Sequence, residues 1–248
     1  MSLNKIYYKI KKENKKNAKF SANPFSEFIL RHIGFFLSAI FAKFKIHPTS
    51  VNIVNLFCGI LATFLIFLSE DNLKFVLVLF LISIFIDLTD GNLARFYGIS
   101  SFWGRFLDST IDIIVGCLLL ITLLVYCFYS FEESFILLVG IFALASYPLY
   151  NLVYDKYSSL ARWSNLVNET NIKPYVRLDY FKRLNFTILD VEKLVIILLL
   201  ISNSIELNYF LIYFFFILNI IKCIFNLFLH LILAKKFMYF SQNKNRNN

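Results

Sequence analysis

Four aspartates stand close together in the stretch DLTDGNLARFYGISSFWGRFLDSTID, at Asp87, Asp90, Asp108 and Asp112. The first two are three residues apart and the last two four apart, so each pair shares one face of a helix. Gly91 and Ala94 continue the first face as nearly bare positions. The linker from Phe96 to Trp103 is long enough to turn the chain back, and the resulting hairpin points the four carboxylates at one another. Like charges that close repel strongly away from bulk water. Divalent cations remove that cost, and an all-oxygen donor set suits hard ions such as Mg²⁺, Mn²⁺ or Ca²⁺. The bare surface at Gly91 and Ala94 leaves room for a flat ligand beside the ions. The bland alternative is a set of solvated helix-end acids, but carboxylates inside a membrane segment are costly and mark function by default.

These helices belong to a membrane protein. The chain has 248 residues, is 58% hydrophobic, carries 30 Phe and has a mean hydropathy of +0.66. Apolar runs of about 20 residues, the length that crosses a bilayer, recur along it. The expected fold is all-α and integral, with helix packed on helix in lipid. The net charge of +9 fits membrane topology and anionic lipid heads better than nucleic acid. Cys58, Cys117, Cys127 and Cys223 all lie in apolar runs without a C-x-x-C pair, so neither a disulfide nor zinc is implied. His32, His47 and His230 are too scattered for a metal site. No apolar run with a small-residue cleavage site directly follows the basic N-terminus, so the first span is expected to serve as the insertion signal.

In chain order, residues 1–23 form a basic cytoplasmic tail with Lys5, Lys9, Lys11, Lys12, Lys15, Lys16 and Lys19. It reads as a solvated, mobile topogenic segment rather than a specific lipid site. Residues 24–46 read as an amphipathic helix in the interface. Pro48 opens the first of six spans, with Thr49 or Ser50 as its cap. The spans are expected at Val51–Leu68, Leu73–Arg95, Trp103–Tyr129, Ser134–Tyr154, Leu194–Ile205 (beginning near Val191) and Asn208–Ala234, within a domain of residues 47–236. Pro148 should kink the fourth. Asp155–Glu192 is the long hydrophilic connection, Glu206 marks a tight outer turn, and 237–248 is a polar tail expected to be disordered. Of the 25 Lys and Arg, all but Lys74 and Lys222 fall on the N-terminal side of the membrane, while Glu70, Asp71, Glu132, Glu133 and Glu206 fall on the other. That bias puts both termini and the aspartates at the cytoplasmic face of a plasma or internal membrane. No inverted repeat of the kind common in transporters is evident.

The pattern D-x2-D-G-x2-A-R-x8-G-x3-D-x3-D, met at Asp87, Asp90, Gly91, Ala94, Arg95, Gly104, Asp108 and Asp112, resembles the signature of the CDP-alcohol phosphatidyltransferases. With each residue type at about one position in twenty, a chance match is on the order of one in 10¹⁰ per starting position. The resemblance implies transfer of a substituted phosphate from a CDP-alcohol, usually CDP-diacylglycerol, to an acceptor hydroxyl with release of CMP. It implies two divalent ions, Mg²⁺ or Mn²⁺, held by Asp87, Asp90 and Asp108 with Asp112 near the second, and Asp112 as the general base. It also implies a homodimer. Gly91, Ala94, Arg95 and Gly104 would admit the nucleotide, Gly104 by letting a loop pass close. Pro48 matches a stretch that precedes the first span in the family, where Asn52 stands in place of a nucleotide-holding Thr.

The acceptor is less legible. Members using inositol phosphate tend to carry basic residues after a Ser-Tyr in the fourth span, whereas Ser146-Tyr147 is followed here by Pro148-Leu149-Tyr150-Asn151. The D-P-x-x-D-K-like run of glycerol-phosphate users is absent from Asp108–Ile113. Two polar stripes remain. Asn151, Asp155, Ser158 and Arg162 share a face if the fourth helix continues beyond the membrane, and Asn219, Lys222, Asn226 and His230 share a face of the sixth span. Asn151, Asp155, Arg162 and Lys222 are therefore the candidate acceptor residues, with a purely structural Lys222 as the alternative. Two other functions fit parts of the pattern. One is a CDP-aminoalcohol phosphotransferase with diacylglycerol as acceptor. The other is a cation-dependent transporter, which would not require the Gly, Ala and Arg between the acids.

Overall fold

The computed structural model describes residues 2–17, 24–99, 101–131, 133–168 and 194–246. The described residues are helical throughout apart from turns, with no strand. The helices are α1 (Leu3–Asn17), α2 (Pro24–Lys43), α3 (Pro48–Leu68), α4 (Leu73–Tyr97), α5 (Phe102–Ser130), α6 (Ser134–Asn168), α7 (194–201) and α8 (Ile205–Arg246), with a short 3₁₀ turn at Glu70–Asn72. Five stretches, in α3, α4, α5, α6 and α8, are long and apolar enough to cross a membrane. The expected fifth span is represented by α7 alone, because 169–193 lies outside the described residues.

The main core joins α3 to α8 around Phe80, Leu120, Leu123, Ile196, Ile212 and Phe216, all nearly inaccessible. Outward faces are studded with large apolar side chains such as Phe57, Phe64, Phe142 and Phe228, as lipid contact requires. Polar groups stitch the helix ends at the acidic end of the bundle. Ser130 Oγ donates to Glu70 Oε2 (2.7 Å), Tyr209 OH donates to Glu133 Oε2 (2.5 Å), and Lys74 Nζ donates to Asn203 Oδ1.

Several local expectations are corrected. Residues 3–17 form a docked helix, not a solvated tail: Ile6 and Ile10 are buried against Phe35, Ala39, Val51 and Leu93 in a second core shared by α1, α2, α3 and α4. An apolar pair one turn apart suffices to seat an otherwise basic helix. The cap of α3 is His47, whose Nδ1 accepts from Thr49 N–H, and not Thr49 or Ser50. The turn before α8 lies at 202–204, where Ser204 Oγ accepts from Leu207 N–H, so Glu206 sits in the first helical turn. Helix α8 runs on to Arg246 through most of the expected disordered tail. Helix α6 continues past the expected end at Tyr154 to Asn168, with Pro148 inside it. Pro148 cannot donate to the Leu144 carbonyl, but the flanking turns carry the helix past it.

Candidate active site

The motif is positioned by two turns of backbone chemistry and one wedge. Helix α4 ends at Gly98, whose φ of 69° is open to glycine; its N–H reaches Arg95 O (3.2 Å) and Ile99 N–H reaches Ala94 O (3.0 Å). Helix α5 starts at Ser101, whose Oγ accepts from Gly104 N–H at 3.0 Å. Gly104 thus lies inside the first turn of α5 and not in the loop, and a Cβ there would meet the capping Ser101 Oγ at 3.2 Å. The glycine the turn needs is Gly98, which the motif does not include.

Helix α3 packs on both α4 and α5, which touch each other only sparingly. The expected hairpin is therefore splayed. The gap is crossed by the acids, with Asp112 beside Asp87 and Asp108 beside Asp90. Carboxylate oxygens of Asp87, Asp108 and Asp112 all lie within 4.8 Å of one another. Asp90 adjoins Asp108 but is the more deeply buried acid; it is 8% exposed and its Oδ1 accepts from Gly91 N–H. Three hard oxygen donors converging in one gap fit a divalent cation.

From behind, α2 fixes the turn of α4 that bears the acids. Gly34 brings the helices so close that a Cβ would lie 3.2 Å from Leu88 Cβ, and Ser38 Oγ lies 3.4 Å from Thr89 O. Arg95 lies over Gly91, with Nη2 3.3 Å from where a Cβ would be, and donates to Asn92 Oδ1 at 3.1 Å. A Cβ at Gly91 would press on the guanidinium, the movable end of the Arg95 side chain.

Beside the acids a cavity of about 220 Å³ runs into the bundle. Asp87 and Asp112 line it together with Asn55, Ser83, Asn219 and Tyr147, above an apolar floor that includes Phe80 and Leu120. Asn55 and Ser83 are buried and paired, Ser83 Oγ donating to Asn55 Oδ1. Tyr147 OH comes within 3.5 Å of the Asp112 carbonyl. Sequence reasoning missed Asn55, Ser83 and Tyr147 as site residues. A signal existed for the first two, since single polar residues facing inward in apolar spans are costly unless partnered. Asn52, selected instead, is buried one turn away and is not among the cavity residues.

Of the candidate acceptor residues, Asn151, Asp155 and Arg162 ride on the continuous helix α6, and Lys222 comes from α8 beside Tyr150. Asn151 Nδ2 donates to Tyr147 O (3.0 Å), Asp155 is exposed, and Arg162 lies on the helical extension of α6, its side chain outside the described residues. Lys222 is 2% exposed, with Nζ 5.1 Å from the Tyr150 ring centroid. Asn219, one turn before Lys222 on α8, lines the cavity with Asp112. Beyond Lys222 the stripe continues through buried Asn226 to His230, whose ring meets Tyr154 and Tyr157 edge-on at 5.9 and 5.1 Å.

Comparison with known proteins agrees with this arrangement. The family model of the CDP-alcohol phosphatidyltransferases matches residues 45–227, which takes in α3 to α6, α7 and most of α8. A phosphatidylinositol phosphate synthase of Streptomyces avermitilis is 32% identical over 89 residues, covering 36% of this chain and 31% of that protein. The match thus spans about a third of the relative's length.

Proposed function

Since the chain belongs to the CDP-alcohol phosphatidyltransferase family, we propose that it moves a phosphatidyl group from CDP-diacylglycerol to a polar alcohol and releases CMP at the cytoplasmic face of its membrane. The observation that carries this reading is the convergence of Asp87, Asp108 and Asp112 within 4.8 Å at a cavity between splayed helices. Asp87, Asp90, Asp108 and Asp112 would hold two Mg²⁺ or Mn²⁺ ions. Such ions neutralise charge on the diphosphate and on the departing CMP.

This chain's own groups do the rest. The acceptor oxygen attacks the phosphorus bonded to the diacylglycerol oxygen. The bond from that phosphorus to the bridging oxygen breaks, and the electron pair leaves with CMP. Asp112, exposed to the cavity, takes the hydroxyl proton. Arg95 swings from Gly91 to a donor phosphate as the nucleotide enters beside Ala94. Asn55, Ser83 and Asn219 line the cavity with neutral polar groups, and the buried Lys222, one turn beyond Asn219, favours an acceptor bearing an anionic group. The Streptomyces avermitilis relative, a phosphatidylinositol phosphate synthase, is named for a lipid with a phosphorylated headgroup.

Purified protein given labelled CDP-diacylglycerol, Mg²⁺ and a panel of acceptors should release CMP with only some of them. Lys222→Met should raise KM for an anionic acceptor on the order of tenfold and leave neutral acceptors unchanged. Turnover of CDP-aminoalcohols with diacylglycerol in place of this reaction would reverse the direction of transfer, and no CMP release with any donor would end the proposal.

A further inference from the structure

We propose that α1 is a docking surface for anionic phospholipid headgroups, held against the end of the helix that bears Asp87 and Asp90. The helix has two sharply different sides. Ile6 and Ile10, 5% and 0% exposed, lock one side onto α2 and α4. Lys5, Lys9 and Lys12, at i, i+4 and i+7, form one exposed stripe. The stripe is not neutralised from within α1, whose one acid, Glu13, has its Oε2 buried.

Its place in the bundle determines what can cover it. Helix α1 packs where α3 begins and α4 ends, since Val51, Leu93, Phe96 and Tyr97 belong to the same cluster. That is the height at which these two spans leave the apolar part of a bilayer. The Lys9 ammonium lies 5.0 Å from the centroid of the Phe96 ring, in the last turn of α4 next to Arg95. The three lysines form a line about 10 Å long on an open edge. A line of cations at that height matches a sheet of headgroup phosphates better than a single soluble anion. Anionic lipid would therefore hold α1, and with it the end of the catalytic helix, in place.

The test uses the full chain in lipid nanodiscs of phosphatidylcholine alone or mixed with phosphatidylglycerol, with amide hydrogen exchange read over Leu3–Asn17. Each basic residue near an anionic surface strengthens attraction by about fivefold. Exchange should slow on the order of tenfold to 100-fold with phosphatidylglycerol at low salt, and the difference should shrink at high salt. The Lys5→Gln/Lys9→Gln/Lys12→Gln variant keeps Ile6 and Ile10, so it should stay docked and lose the lipid dependence. Equal exchange in the two lipids would overturn the proposal. So would a phosphatidylglycerol effect that survives in the triple variant, or slowing produced by soluble CTP in phosphatidylcholine alone.

Discussion

Replacing Asp112 by Asn separates the electrostatics of the acid cluster from its chemistry. Three carboxylates have oxygens within 4.8 Å of one another. Two unit charges at that distance repel by about 3.5 kcal/mol at an effective dielectric of about 20 and about 1 kcal/mol in bulk water. Asp112 is exposed to the cavity, so the water-like figure applies. Where all three are ionised, Asp112→Asn removes two such pairs, with Asp87 and with Asp108, and so stabilises the metal-free protein by up to about 2 kcal/mol. The same change removes the proton acceptor, which should slow turnover by about 10² to 10⁴, a barrier rise of about 3–5 kcal/mol. Asp87→Asn relieves the same repulsion but should weaken metal and donor binding as well as chemistry. Thermal unfolding in chelator and in Mg²⁺, donor affinity, and CMP release distinguish these effects. Expected for Asp112→Asn are a higher midpoint in chelator, donor binding retained with metal, and turnover nearly lost. A lower midpoint in chelator would refute the repulsion argument. Near-normal turnover would end the general-base role, and lost donor binding would make holding metal the main role of Asp112.

Four further outcomes follow from the geometry. Chelation should abolish CMP release and Mg²⁺ or Mn²⁺ should restore it; full activity in chelator would remove the metal role of the aspartates. A Cβ at Gly116 would lie 2.2 Å from the Tyr147 ring, so Gly116→Ala should displace Tyr147 into the cavity and raise KM for the acceptor more than for the donor. At Gly34 the contact is with the backbone-proximal Leu88 Cβ at 3.2 Å; Gly34→Leu should push α2 from the turn bearing Asp87 and Asp90 and lower kcat on the order of tenfold or more, with a smaller loss for Gly34→Ala. Cysteine labelling should find Lys16 and Arg177 on the same, cytoplasmic side, and outside labelling of either would overturn the six-span topology.

The site's chemistry was legible in the sequence because carboxylate spacing along a helix is a local property. A period of 3.6 residues puts Asp87 with Asp90, and Asp108 with Asp112, whatever the helices later pack against. Helix existence was legible for the same reason: apolar runs of bilayer length have few alternatives. Relations across helices were not legible. The splaying of α4 from α5 depends on α3 wedging against both. The cavity depends on Asn55 and Ser83 meeting across that contact. Neither can be read from one helix, since a lone Asn in an apolar run has several possible partners. Docking of α1 was missed because its charge dominates its composition, while Ile6 and Ile10, its buried contacts, matter only once α2 and α4 present a surface to receive them. Local periodicity therefore determined which carboxylates share a helix face and on which helices they ride. Tertiary packing decided how far apart those helices stand and which buried polar groups share their cavity, because inter-helix distance is set by side-chain volume at contacts far apart in the chain.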